Sequence, residues 1–243
     1  MRFRVKIEVH PDAAAVARKA AEIIAADARE AVVSRGRYVM AVSGGSTPWL
    51  MLRALADEQI PWENLHVVQV DERVAPAGGP ERNLTHLRES LLEHAPLPLR
   101  HVHAMPVEAP DLDPAALQYA AILRDLAGSP PVIDLVHLGL GVDGHTASLV
   151  PGDPVLEVTD VDVAVTRPYQ GRRRMTLTFP SINRSRRVLW LVTGREKAGA
   201  LARLCDSDPS IPASGVRQDV ALILAERAAA EQLGASENLE MRK

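Results

Sequence analysis

The 243-residue chain is 47% hydrophobic and 24% charged, with a formal net charge of −3. That is the balance of an ordinary soluble globular protein, with length for one large α/β domain or two small ones. The densest basic run, Arg172-Arg173-Arg174, is too short for a nucleic-acid face, and no apolar run reaches the roughly 18 residues of a membrane span. The single cysteine, Cys205, excludes an intramolecular disulfide and a Cys-rich zinc site and suits a reducing compartment; the N-terminal residues lack the apolar stretch of a signal peptide.

In chain order, Phe3 to Val9 alternates apolar and charged residues, which predicts a half-exposed strand at a sheet edge. Asp12 opens an alanine-rich helix that Gly36 closes as a left-handed cap. A strand over Arg37 to Val42 runs directly into Ser43-Gly44-Gly45-Ser46-Thr47-Pro48, where Thr47 as N-cap and Pro48 as first helical residue start a helix reaching about Asp57. Leu65 to Val70 reads as a buried strand closed by a loop, Asp71-Glu72-Arg73. Asn83 leads a helix through about Glu93, His101 to Met105 a strand, and Asp113 a helix ending near Gly128. The apolar run Val132 to Leu138 stops at Gly139-Leu140-Gly141. Beyond it, Val161 to Val165 and Met175 to Phe179 alternate like antiparallel strands, while Val188 to Thr193 and Val220 to Leu224 are continuously apolar. Gly194 leads into a helix carrying Lys197, Ile211-Pro212-Ala213-Ser214 starts a short helix, and Glu226 to Leu233 forms the last one. Apolar strands separated by helices call for a mostly parallel sheet covered on both faces, with a small antiparallel addition near 161–179. No linker or repeat interrupts the pattern. One domain over 1–233 with a frayed polar tail over 234–243 is the expectation.

Four loops follow buried strands: Ser43 to Thr47, Asp71 to Arg73, Gly139 to Ser148 and Thr193 to Lys197. In an open parallel sheet they gather at the carboxyl edge, where ligands bind. Ser43, Gly44, Gly45, Ser46 and Thr47 suit a phosphate: glycines admit backbone N–H groups, hydroxyls add donors, and a helix starts there. The loop has no Walker-type lysine, so a nucleoside triphosphate is not implied. Asp143-Gly144-His145 puts an acid and an imidazole at the end of a buried strand, and His145 is the leading catalytic candidate. Gly139 to Gly144 formally matches the dinucleotide pattern GxGxxG. Pro151-Gly152 follows too soon for the crossover helix which that motif needs. Arg73, Arg174 and Lys197 are candidate partners for an anion. His101-x-His103 lacks a third metal ligand, His137 reads as a core histidine, Cys205 has no activating partner, and no Gly-x-Ser-x-Gly is present.

Six segments in order resemble the 6-phosphogluconolactonase family, within the wider glucosamine-6-phosphate isomerase-like group. They are SGGSTP at 43–48, DER at 71–73 with Asn83, GLGVDGHTASLVPG at 139–152, RMTLTFPSIN at 174–183, LVTGREKAGAL at 191–201, and IPAS at 211–214. The resemblance implies a three-layer Rossmann-like α/β/α fold and hydrolysis of 6-phospho-D-glucono-1,5-lactone without metal or cofactor. It casts His145 as general base, Asp143 as orienting His145 or its loop, and Arg73 as holding the substrate's phosphate or ring. The chemistry of lactone opening also calls for oxyanion donors, which Arg73 or backbone N–H groups of the glycine loops are expected to supply. Substrate contacts are expected from the 43–47 loop, Asp71, Arg174 and Lys197. The implied setting is cytoplasmic, acting on a free sugar phosphate as a monomer or weak homo-oligomer, away from nucleic acid and membrane. The chain departs from the family pattern at His137, where an aliphatic residue is usual, and at Glu81-Arg82, where a serine commonly precedes Asn83. Two rivals remain. Glucosamine-6-phosphate deaminases share the Asp-Gly-His loop but follow it with Asn-Glu-Pro, where this chain has Thr146-Ala147-Ser148. A sugar-phosphate-sensing domain would bind without turnover.

Overall fold

The computed structural model describes residues 5–234 and the backbone of 239–241. Its main sheet has eight parallel strands. In chain order these are β1 (Lys6–His10), β2 (Tyr38–Val42), β3 (Leu65–Gln69), β5 (Val102–His103), β6 (Leu135–Gly139), β9 (Arg187–Val192), β10 (Ala221–Glu226) and β11 (Leu239–Met241), and across the sheet they lie β11-β1-β10-β9-β6-β2-β3-β5. Antiparallel β4 (Asp71–Arg73), β8 (Arg174–Leu177) and β7 (Val163–Val165) make a second, small sheet. Helices cover both faces. α1 (Ala13–Arg35) and α2 (Ser46–Leu55) pack on one side, where Ile24, Met51 and Leu189 share a core. On the other, α4 (Leu112–Ala127), α5 (Phe179–Asn183) and α6 (Ala198–Cys205) enclose Tyr119, Ile182, Trp190 and Leu201. The expected doubly covered, mostly parallel sheet with its antiparallel addition is what forms.

Local chemistry sets the element ends. Asp12 accepts a hydrogen bond from the Ala15 N–H at 2.7 Å, and Gly36, at φ +78°, ties its own N–H to the Val32 carbonyl. From β2 the chain steps one way, through β3 to β5; from β6 it steps the other way, through β9 to β10. The order therefore reverses between β2 and β6, opening a crevice at their carboxyl ends.

Several boundaries differ from the sequence reading, each for a physical reason. Asp71-Glu72-Arg73 is strand β4 rather than a loop, because Glu72 and Met175 pair and the Val70 carbonyl takes the Leu177 N–H. Gly45, at φ +127°, is the N-cap of α2, so Thr47 lies in the first turn and spends its hydroxyl on Thr193, 2.5 Å away. α3 spans only Asn83–Leu87 and widens into a π-turn over Arg88–Leu92, where the Ser90 hydroxyl bonds back to the His86 carbonyl. Strand β5 is two residues long, since the Met105 N–H goes to the Gln69 side chain instead of a ladder. Lys197 ends a 3₁₀ turn that precedes α6. Glu226 to Leu233 is not a helix: Glu226 is the last residue of β10, paired with His10, and turns follow it. β1 is not at the edge, because 239–241, within the expected frayed tail, pair with it.

Candidate active site

A cleft of about 590 Å³ opens at the carboxyl ends of β2, β6 and β9, within the usual size for small-molecule sites. Ser43, Gly44, Gly45, Ser46, Thr47, Asp71, Arg73, His145, Arg174 and Lys197 all line it. Of the residues expected to act in catalysis or substrate binding, Asp143 alone does not line the cleft; it is bonded to His145, which does. The four predicted loops therefore meet at one place.

The 140–150 segment turns back on itself, with Gly141 N–H bonded to the His145 carbonyl and Gly144 N–H to the Gly141 carbonyl. No helix follows β6 there, as the spacing of Pro151-Gly152 demands. The turn places Asp143 Oδ1 2.5 Å from His145 Nδ1 and 3.2 Å from the His145 backbone nitrogen. Burial pushes the Asp143 carboxyl up, yet the hydrogen bonds from the His145 ring and backbone and from Tyr169 outweigh it and hold the group below its ordinary value. An ionised carboxylate only accepts, so the His145 ring donates through Nδ1 in this contact, and in the neutral tautomer that does so Nε2 is the acceptor. Gly141 is required for this contact: a Cβ there would lie 2.1 Å from His145 Nδ1 and 2.6 Å from Asp143 Oδ1.

The cationic wall is equally constrained. Arg73 donates to Asn83 Oδ1 at 2.7 Å and to the Glu81 carbonyl at 2.9 Å. Asn83 in turn donates to the Asp71 carbonyl and packs over Gly44, whose missing Cβ would fall 2.0 Å from Asn83 Oδ1. Beneath them Glu72, wholly buried, accepts from the backbone N–H groups of Arg73, Asn83 and Leu84 and from Gln69, and pairs with Arg82. Asp71 accepts from the Ser148 hydroxyl at 2.7 Å; burial raises its carboxyl, and Ser148, Arg73 and Arg174 oppose the rise. Arg174 is only 4% exposed and its Nε has no partner among the described residues; burial lowers its ordinary value. Lys197 has no ion-pair partner among the described residues.

Ser43 is occupied structurally. Its N–H donates to His137 Nδ1 at 3.2 Å and its hydroxyl to the His137 carbonyl at 3.0 Å, so the histidine inside β6 pins the glycine loop. His137 is fully buried, and burial alone brings its imidazole down to about 3. At the far sheet edge, His66 packs against both His101 and His103, at ring-centroid distances of 4.2 and 5.4 Å. Among the described residues no group of three has the arrangement to hold a metal ion.

Sequence reasoning missed Tyr169 and Glu226 in this neighbourhood, gave Thr193 only as the start of a loop, assigned Ser148 no role, and used Asn83 only as a helix start and as part of a resemblance. Glu226 accepts the Gly194 N–H at 2.7 Å, and Tyr169 donates its hydroxyl to Asp143 at 3.1 Å. One signal was available: of three tyrosines, Tyr38 and Tyr119 sit in apolar segments, whereas Tyr169 lies in a glycine-containing turn.

The family model described as glucosamine-6-phosphate isomerases/6-phosphogluconolactonase matches residues 11–224. A curated 6-phosphogluconolactonase from Mycobacterium tuberculosis is 39% identical over 240 residues, covering 93% of this chain and 97% of that protein. The structure of 6-phosphogluconolactonase from Trypanosoma cruzi superposes with a TM-score of 0.84 at 28% identity, covering 96% of this chain and 98% of the other. A monomeric glucosamine-6-phosphate deaminase, at 20% identity and a TM-score of 0.81 over 93% of this chain and 99% of its own, shares the fold. With the strand order, the cleft and these matches in hand, the chain belongs to the glucosamine-6-phosphate isomerase/6-phosphogluconolactonase family.

Proposed function

We propose that the chain hydrolyses 6-phospho-D-glucono-1,5-lactone to 6-phospho-D-gluconate, with His145 as general base. The observation that carries the reading is the Asp143–His145 pair, whose imidazole lines a cleft that Arg73, Arg174 and Lys197 also line. A lactone is an activated ester, so water suffices as nucleophile. The Ser43 hydroxyl, which donates to the His137 carbonyl, is not needed as one. Nε2 takes a proton from water as its oxygen bonds to C1. The tetrahedral oxyanion then collapses, the bond from C1 to the ring oxygen breaks, and Nε2–H returns its proton to that oxygen. Such acid–base assistance is worth about 10²–10⁴-fold. Arg73 and the N–H groups of Gly44 and Gly45 are the donors offered to the oxyanion, since those of Gly141 and Gly144 are spent within their own turn. The 43–47 loop, Asp71, Arg174 and Lys197 hold the phosphate and sugar, so that binding orients C1 against the imidazole. Neither metal nor cofactor enters these steps. The reading carries with it a cytoplasmic setting and action as a monomer or weak homo-oligomer; within the described residues no helix is long and apolar enough to cross a membrane.

The deaminase alternative is less well supported, because Thr146 and Ser148, after His145, turn to the Gly139 carbonyl and to Asp71 and bring no carboxylate to the ring. The test is proton release from freshly made lactone, above spontaneous hydrolysis, beside ammonia release from glucosamine 6-phosphate. Fast proton release without ammonia supports the lactonase. Ammonia without lactone turnover replaces it with the deaminase, and binding without either reaction replaces it with a sensing domain.

A further inference from the structure

Tyr169 stands on the hairpin turn between β7 and β8. Its N–H and carbonyl exchange hydrogen bonds with Arg172, and the two residues between, Gln170 and Gly171, have φ of +51° and +79°. Two successive positive φ values make a type I′ hairpin, a tight turn that leaves its flanking residues little freedom. From that fixed point the tyrosine makes three contacts. Its hydroxyl reaches Asp143 Oδ2 at 3.1 Å, while the other carboxylate oxygen serves His145. Its ring meets the His145 ring edge-on, with centroids 5.6 Å apart and planes at 63°. The Arg174 guanidinium carbon lies 5.0 Å from the ring centroid, within cation–π range.

We propose that Tyr169 is a positioning residue for the reaction: its hydroxyl fixes the carboxylate that orients His145, and its ring seats both the imidazole and Arg174. The inference rests on His145 being the general base. The His145 ring and backbone nitrogen both hold Oδ1, which leaves Oδ2 to be anchored from elsewhere. Tyr169 supplies that anchor from the turn between β7 and β8, 26 residues along the chain. Burial, and the adjacent Asp143, push the Tyr169 phenol above its ordinary value, so the hydroxyl stays a donor across the working pH range. The charged and titratable groups in contact with the phenol are Asp143, His145 and Arg174. An anion drawn to Arg174 and the aim of the base thus share one side chain.

Tyr169→Phe keeps the ring and removes only the hydroxyl. The expected result is a kcat about tenfold lower, the scale of one hydrogen bond to a charged group, with KM nearly unchanged. The acid limb of the kcat/KM profile moves to higher pH, because Asp143, losing a donor, attracts the imidazolium more strongly. Tyr169→Ala, which also removes the platform under Arg174, raises KM as well. A folded Tyr169→Phe enzyme with wild-type kcat and pH profile overturns the inference. His145→Ala separates this outcome from failure of the underlying reading. If that variant keeps turnover, the base assignment falls, and Tyr169 is judged by the ¹⁵N shifts of the His145 ring, whose invariance in Tyr169→Phe likewise overturns it.

Discussion

Gly141→Ala tests whether the Asp143–His145 contact is what the 139–145 turn exists to hold. The backbone of Gly141 is not in the left-handed region, so alanine brings no conformational penalty there. Its methyl does bring a collision, 2.1 Å from His145 Nδ1 and 2.4 Å from Cε1. A carbon contact relaxes near 3.5 Å, so the ring must retreat by about 1 Å or more. Misplacement on that scale costs about 10²-fold in rate, and kcat/KM for the lactone should fall by about that factor. Overpacking of this kind costs about 1–3 kcal/mol, a drop in Tm of no more than about 10 °C for a chain this long. The assay is pH-stat turnover beside a thermal melt. A folded Gly141→Ala protein with wild-type kcat/KM refutes the reasoning, because the pair must then work from a position the glycine does not protect.

Two further outcomes concern the frame beneath the site. Glu72→Gln leaves Arg82 only the exposed Glu108 as counter-charge and sets an amide among N–H donors. Breaking a buried pair costs about 3–5 kcal/mol when nothing else compensates the charge, so with Glu108 retained the Tm should fall by up to about 10 °C, and an unchanged melt contradicts the role given to Glu72. His137 refuses a proton down to about 3 when folded and takes one near 6.5 when unfolded. Its contribution is therefore complete above about 6.5 and is lost as pH falls through that window, at about 1.4 kcal/mol per unit for one full proton. His66, lowered to about 4 chiefly by burial, acts in the same direction. In urea unfolding between pH 4 and 6, His137→Asn should show a shallower fall of stability with acid, and an unchanged slope contradicts the assignment.

Much of this was legible because burial leaves a strong mark on sequence. β2, β3, β6, β9 and β10 are apolar on both faces, and the glycines and hydroxyls after β2 and β6 locate the crevice. The strands that escaped notice are those whose pairing partner is far away. Asp71-Glu72-Arg73 carries three charges and reads as a loop until β8, a hundred residues later, supplies its ladder. Glu226 to Leu233 has the composition of a helix, but β10 extends through Glu226, whose carboxylate is spent on the Gly194 N–H, and no helix starts there. In the site, Asp143 and His145 are near neighbours in sequence and could be paired on paper. Tyr169, Asn83 and Ser148 could not, since each acts on a residue from another element and only the assembled fold makes them adjacent.

The central claim is that His145 takes the proton from the attacking water, and His145→Ala tests it most directly. With freshly made lactone, correction for spontaneous hydrolysis and a melt to certify folding, kcat/KM should fall by about 10²–10⁴-fold. A folded His145→Ala protein that turns over within a few-fold of wild type would contradict the account and move the base elsewhere in the cleft.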